Sequence, residues 1–315
     1  MTVYRRKRHT PWVTCAMAWC LWVSPASGTA TPLPVPVPVP VMPMTEYVAT
    51  RHDRPYVLAV CAAQGRLDYL GVAHSMDADG EAVRLIRAQY QREPPDIVYV
   101  EGPAFEPRAS LEESVHAYGE AGALLFLARK DGRPVRTLDL SVRDEMSEVS
   151  ARFGRDWALT FYGVRMIVQE TARRRGADLS SFVTEKLLPW LSKNIGGERT
   201  LTLDEFLSTV RGVSPELADW NQVPREWFDP SMRQPQRMTN AIAGFLVEAR
   251  DRRMVERLAG DVRDGKRVLA AAGYSHVVMQ EPALVSRLGC STGASTGRSP
   301  SVYRCHASCA SSAGN

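Results

Sequence analysis

The chain has 315 residues, 44% hydrophobic and 23% charged, with six cysteines. This composition excludes a wholly disordered, collagen-like or disulfide-dense chain and leaves room for one large α/β domain. The formal charge of +4 is carried by Arg5, Arg6, Lys7 and Arg8; the remaining sequence balances its acids and bases, which argues against nucleic acid as a partner.

From the N-terminus, Arg5–His9 is basic, Trp12–Val23 is apolar and Ser24–Ala30 is rich in small residues. That order predicts a cleaved signal peptide over residues 1–30. The apolar stretch, bracketed by Pro11 and Pro25, is shorter than the roughly 20 residues of a stable transmembrane span. Export to the periplasm or the medium is expected; translation starting at Met42 or Met44 would instead leave a cytoplasmic protein. Residues 31–46 read as a proline-rich linker, because the alternate prolines from Pro32 to Pro40 impose extended polyproline II backbone.

Pro55–Cys61 and Leu67–Val72 are β-rich and flank Gln64-Gly65, which predicts a hairpin. Helical spacing runs from Gly80 to Arg92, with Asp79 as its cap. Asp96–Glu101 is a short, nearly continuous apolar run closed by Gly102-Pro103, the pattern of a buried parallel strand. A helix is predicted over Leu111–Lys130 and a strand over Val135–Leu138, ending at Asp139. Residues 142–260 are mainly helical, with a capping box at Thr202-x-x-Glu205 and a long amphipathic helix over Arg237–Ala259. Arg267–Ala272 is the last core strand, ending at Gly273, and Val277–Leu288 is a closing helix.

The expected fold is α/β: an open mixed sheet flanked by helices over residues 47–289, with a helical insertion between the third/fourth strand and the last core strand. Residues 290–315, rich in Ser and Gly with scattered Cys, are expected to be a disordered tail. A disulfide is expected there if the protein is exported.

Two near-motifs carry no chemistry. Gly260–Arg267 approaches a phosphate loop, but Arg267 stands where a magnesium-binding hydroxyl belongs and the order is helix to strand. Gly293-Ala294-Ser295-Thr296-Gly297 has nucleophile-elbow spacing but no preceding strand.

The stronger signal is a pair of Gly-x-x-His strings, Gly71-Val72-Ala73-His74 and Gly273-Tyr274-Ser275-His276, each closing a predicted strand. Ligands in open α/β sheets gather beyond the carboxyl ends of the strands. Glu101 and Asp139 end two further strands at the same rim if those strands are parallel. Two imidazoles and a carboxylate suit a divalent metal with an open position for water. Each imidazole then needs its second nitrogen fixed, for which Asp77, Asp79 or Asp139 are candidates. Glu120, between Gly119 and Gly122, is expected within a helix, where close packing explains the glycines as well as function does.

These residues resemble a family. Gly71-x-x-His74, the strand end Val98–Glu101, and Arg250-Asp251-x-x-Met254 leading to Leu269–Gly273-x-x-His276 are similar to TraB/GumN-type proteins. Those are related to the Tiki metalloproteases and, more remotely, to the erythromycin-esterase and ChaN haem-uptake groups. The resemblance implies a metal-dependent peptidase using manganese, cobalt or zinc, with His74, His276 and Glu101 at the metal. It also implies that Arg250 orders the site or polarises a substrate carbonyl. Glu101 is either ligand or general base. Val72 stands where the esterase branch carries Glu, which speaks against esterase chemistry. The competing reading is a non-catalytic protein that binds haem or a peptide at the same rim.

Overall fold

The computed structural model describes residues 39–102, 105–173, 179–195, 199–231, 237–290 and 299–305. The predicted signal peptide, the first half of the proline-rich linker and the Gly293–Gly297 string lie outside the described residues.

The first half comprises α1 (Met44–Tyr47), β1 (Tyr56–Cys61), β2 (Arg66–Val72), α2 (Glu81–Arg92), β3 (Ile97–Val100), α3 (Leu111–Tyr118), α4 (Glu120–Lys130) and β4 (Val135–Thr137). Then come the helices α5 (Val142–Phe153), α6 (Arg155–Arg173), α7 (Leu188–Asn194), α8 (Leu203–Val213) and α9 (Met238–Arg263). The chain returns through β5 (Arg267–Gly273), α10 (Tyr274–Arg287) and β6 (Ser301–Arg304).

The strands form one sheet in the order β4-β3-β5-β2-β1-β6. The four strands β4, β3, β5 and β2 run parallel, and β1 is antiparallel to β2. The architecture is thus the open mixed α/β sheet expected, with helices α5 to α9 inserted between β4 and β5.

Both faces of the sheet are covered, which is why its strands are apolar on alternate and intervening positions alike. Leu67, Tyr69, Ile97, Tyr99, Val268 and Ala270 pack on one face with α9 and α10, whereas Leu70, Val98, Val100, Leu269 and Ala271 pack on the other with α2 and α4. The inserted helices enclose a core of their own around Phe161, Leu191 and Phe206. Helix α9 joins the two: Ile242 and Leu246 belong to the insertion, Met254 to Val262 to the sheet. Arg250 and Asp251 fall between.

Four expectations change. The helix predicted over Leu111–Lys130 breaks at Gly119, whose φ of 68° favours glycine. Glu120 is therefore the first residue of α4 rather than a mid-helix residue. Asp79 is not the cap of α2; Gly80 occupies that position, and the Asp77 carboxylate instead accepts from Asp79 N at 3.0 Å. The closing helix begins at Tyr274, three residues early, so His276 sits in its first turn.

The fourth concerns the ends. The tail is not disordered at Ser301–Arg304, which pairs in parallel with β1, and Cys290 is disulfide-bonded to Cys305. At the other end Val41 is buried and Met42 N donates to Met279 O at 2.9 Å, so the last part of the linker is docked on α10.

Candidate functional site

The parallel strands deliver His74, Glu101 and Asp139 to one rim, and β5 leads into α10 so that His276 emerges there too. The two glycines of the Gly-x-x-His strings each make room for the other string. A Cβ on Gly71 would stand 2.9 Å from Tyr274 Cα, and one on Gly273 would stand 3.3 Å from His74 Nε2.

Each imidazole is held from behind. His276 Nδ1 lies 2.6 Å from Asp251 Oδ1, and His74 Nδ1 lies 2.8 Å from Glu120 Oε1. A carboxylate only accepts, so Nδ1 carries the proton in both rings and Nε2 of each neutral ring keeps its lone pair. Both Nε2 atoms face the same carboxylate: His276 Nε2 is 3.4 Å from Glu101 Oε1 and His74 Nε2 is 3.9 Å from Glu101 Oε2.

The supporting carboxylates are themselves anchored. Asp251 is fully buried on α9 and also accepts from Gln280 Nε2 at 2.6 Å. Glu120 reaches back from the start of α4 to accept from Ser75 N at 3.0 Å. The break at Gly119 places it there, because the loop carrying Ser75 runs against that glycine. Glu101 accepts from Gly273 N at 2.8 Å.

Arg250 completes the cluster. Its Nη2 is paired with Asp139 and lies 3.7 Å from Glu101 Oε1, while Nε lies 3.5 Å from Glu145 Oε1. Asp139 is fixed in turn by Gly102 N at 2.7 Å, and the backbone carbonyls of Thr137, Leu138 and Asp139 receive Arg257.

The structure brings His74, His276, Glu101 and Arg250 together. Of the carboxylates proposed to orient the imidazoles, none does so: Asp139 serves Arg250, and Asp77 serves its own loop. Glu120 and Asp251 take that role. Nothing in the sequence marks Asp251 beyond its place beside Arg250, and the pairing with His276 depends on the crossing of α9 and α10. Cys305, which stands in the tail string Cys305-His306-x-x-Cys309, is engaged in the disulfide.

Burial alone would push Glu101 up and His276 down, but their mutual attraction wins. Glu101 is held at about 2 by His276, Gly273 N and His74, and His276 is raised to about 10 by Asp251 and Glu101. His74 is also raised, chiefly by its hydrogen bond to Glu120. Glu145 moves up through burial, with Arg250 opposing.

The ion-paired cluster contains five carboxylates (Glu101, Glu120, Asp139, Glu145, Asp251) against one guanidinium and two imidazoles. Arg257 on the Asp139 carbonyl and Arg165 near Glu145 add two further cations, so the charges balance with both rings protonated and the acids are in excess by two when both rings are neutral. A partly buried excess of negative charge is costly without a counter-cation. The donor set of two imidazole Nε2 atoms and one carboxylate fits a divalent ion. Among the described residues no three His, Cys, Asp or Glu side chains already converge as a metal-ready cluster; Glu101 stands at ion-pair range between the two rings instead.

No family model, curated protein or solved structure matches this chain. No helix among the described residues is long and apolar enough to cross a membrane.

Proposed function

We propose that the protein is an exported, metal-dependent hydrolase of the TraB/GumN and Tiki type, acting on peptide or protein substrates. One observation carries this reading: two imidazoles, each with Nδ1 fixed by a buried carboxylate, present Nε2 to a single strand-end glutamate. Outward Nε2 atoms backed by carboxylates are the usual support of metal-binding histidines.

In this reading His74, His276 and Glu101 hold manganese, cobalt or zinc, which supplies Lewis-acid activation of water and of the scissile carbonyl. Asp251 and Glu120 keep the ring protons on Nδ1 and prevent the imidazoles from rotating. Glu101 either binds the ion or accepts the proton of the attacking water. Arg250, held by Asp139 and Glu145, offers positive charge to an oxyanion developing beside Glu101. His74 has a side chain 67% exposed, which leaves an approach for substrate.

The competing reading is haem or peptide binding without turnover. The excess of carboxylates favours a divalent ion over haem, whose propionates would add further negative charge. The disulfide Cys290–Cys305, together with the disulfide bonding of Cys61, supports an oxidising compartment and hence export.

The test is metal analysis of purified protein with His74→Ala and His276→Ala, alongside cleavage of a quenched fluorescent peptide library. About one divalent ion per chain, lost in both variants, and cleavage abolished by chelation are expected. Substoichiometric metal that neither variant changes would end the metal reading, and a Soret shift on haem titration that His74→Ala removes would favour the haem alternative.

A further inference from the structure

The rim extends past His74 to the start of β1. Because β1 runs antiparallel to β2 with Tyr56 opposite Gly71, the segment Thr50–Pro55 enters beside the carboxyl end of β2. A cavity of about 950 Å³ opens there, lined among others by Arg51, His52, Asp53, Arg54 and Ser299.

Its charge is unbalanced. Neither Arg51 nor Arg54 forms an ion pair within 4 Å among the described residues, and the only acid lining the cavity, Asp53, accepts from Ser299 N at 2.9 Å. Arg54 is placed by its guanidinium lying 4.6 Å above the Tyr274 ring. Tyr274 directly follows Gly273, whose N–H meets Glu101 and whose Cα faces His74. Arg54 therefore rests on the residue that follows Gly273 in the chain, next to the proposed reaction centre in sequence. His52, stacked on Tyr47 at 4.8 Å, donates from Nε2 to Tyr47 O at 3.1 Å and has its Nδ1 buried without a hydrogen-bond partner.

We propose that this cavity is a substrate subsite that binds a carboxylate of the peptide through Arg51 and Arg54, so that the substrates are peptides with an acidic residue or a free carboxyl terminus next to the cleaved bond. The proposal deepens the peptidase reading and rests on it for the word substrate. The physical basis is that a guanidinium forms charge-assisted, often bidentate pairs with carboxylates, and that a stacked guanidinium is already ordered before the ligand arrives.

Binding is measured by fluorescence anisotropy on the full chain, both metal-loaded and chelator-treated. Three labelled hexapeptides serve as probes: one with a central Glu and both ends blocked, one neutral with a free carboxyl terminus, and one neutral with both ends blocked. At least one carboxylate peptide is expected to bind about tenfold or more tightly than the blocked neutral peptide, and to lose that advantage in Arg51→Gln and Arg54→Gln. Arg54→Lys, which keeps the charge, should retain part of it. The first two peptides separate a side-chain carboxylate from a terminal one. Equal binding of all three peptides, or arginine variants with unchanged preference and unchanged thermal unfolding, would overturn the subsite. An arginine-dependent preference that persists in protein unable to take up metal would retain the subsite while refuting the metal reading.

Discussion

Replacing Asp251 with asparagine isolates the contribution of the carboxylate behind His276, the imidazole proposed to bind metal. Asparagine has nearly the same shape, so it still accepts from His276 Nδ1 and Gln280 Nε2 where the native contacts are both 2.6 Å. What disappears is the negative charge, in a position with no solvent to replace it, since Asp251 is fully buried. Losing such a partner lowers metal affinity by about 10- to 100-fold, equivalent to roughly 1.4 to 2.7 kcal/mol.

The corresponding change Glu120→Gln should cost less, because His74 has a side chain 67% exposed and water shares the stabilisation. Asp251→Ala is a harsher test: it leaves a buried imidazole and amide unpaired, and about 3–5 kcal/mol of stability should go with it. The assay is manganese titration of chelator-stripped protein, with free Mn²⁺ followed by paramagnetic resonance and thermal unfolding measured in parallel. Manganese affinity in Asp251→Asn equal to the parent's, or a greater loss in Glu120→Gln, would refute the orienting role derived from burial.

Two further outcomes concern the scaffold. Gly122→Ala should destabilise by about 1–3 kcal/mol despite its better helix propensity, because the new Cβ would meet Ser114 O at 2.0 Å where α3 and α4 touch. Gly244→Ala, with nothing within 4 Å of its added Cβ, should instead stabilise by up to about 1 kcal/mol; urea midpoints compare the pair. The second is pH dependence at Asp261. Burial opposes its ionisation, but Lys266, Tyr99 and Arg136 outweigh that and hold its pKa below the usual value. A depressed carboxylate contributes stability above its unfolded pKa of about 3.9 and loses it as pH falls through the folded value. Asp261→Asn should therefore be less stable at pH 7 and show a shallower loss of stability between about pH 5 and pH 2 in chemical denaturation.

Much of the fold was legible because its signals are local. The continuous apolar run at Ile97–Val100 indicates a strand covered on both faces, and it is one. Thr202 and Glu205 form the capping box that their spacing predicts. The break at Gly119 was not legible, because a glycine inside a helical pattern is equally compatible with packing and with a turn; what decides it is the loop at Ser75 lying against it. The tail was misread for a related reason. A Ser-rich segment has little apolar surface of its own, but β1 offers a free edge to Ser301–Arg304 and Cys290 offers a covalent tether.

The same division runs through the candidate site. Local order in the chain sufficed for the elements that carry His74, Glu101 and His276, since strand-ending glycines and apolar runs depend on neighbours only a few residues away. Which carboxylate stands behind which imidazole was settled by tertiary structure alone. Asp251 and His276 meet across α9 and α10, and Glu120 reaches His74 from a helix that starts where a glycine turns. Such pairings depend on helix crossings and loop approach in three dimensions, and residue spacing along one chain carries no record of them.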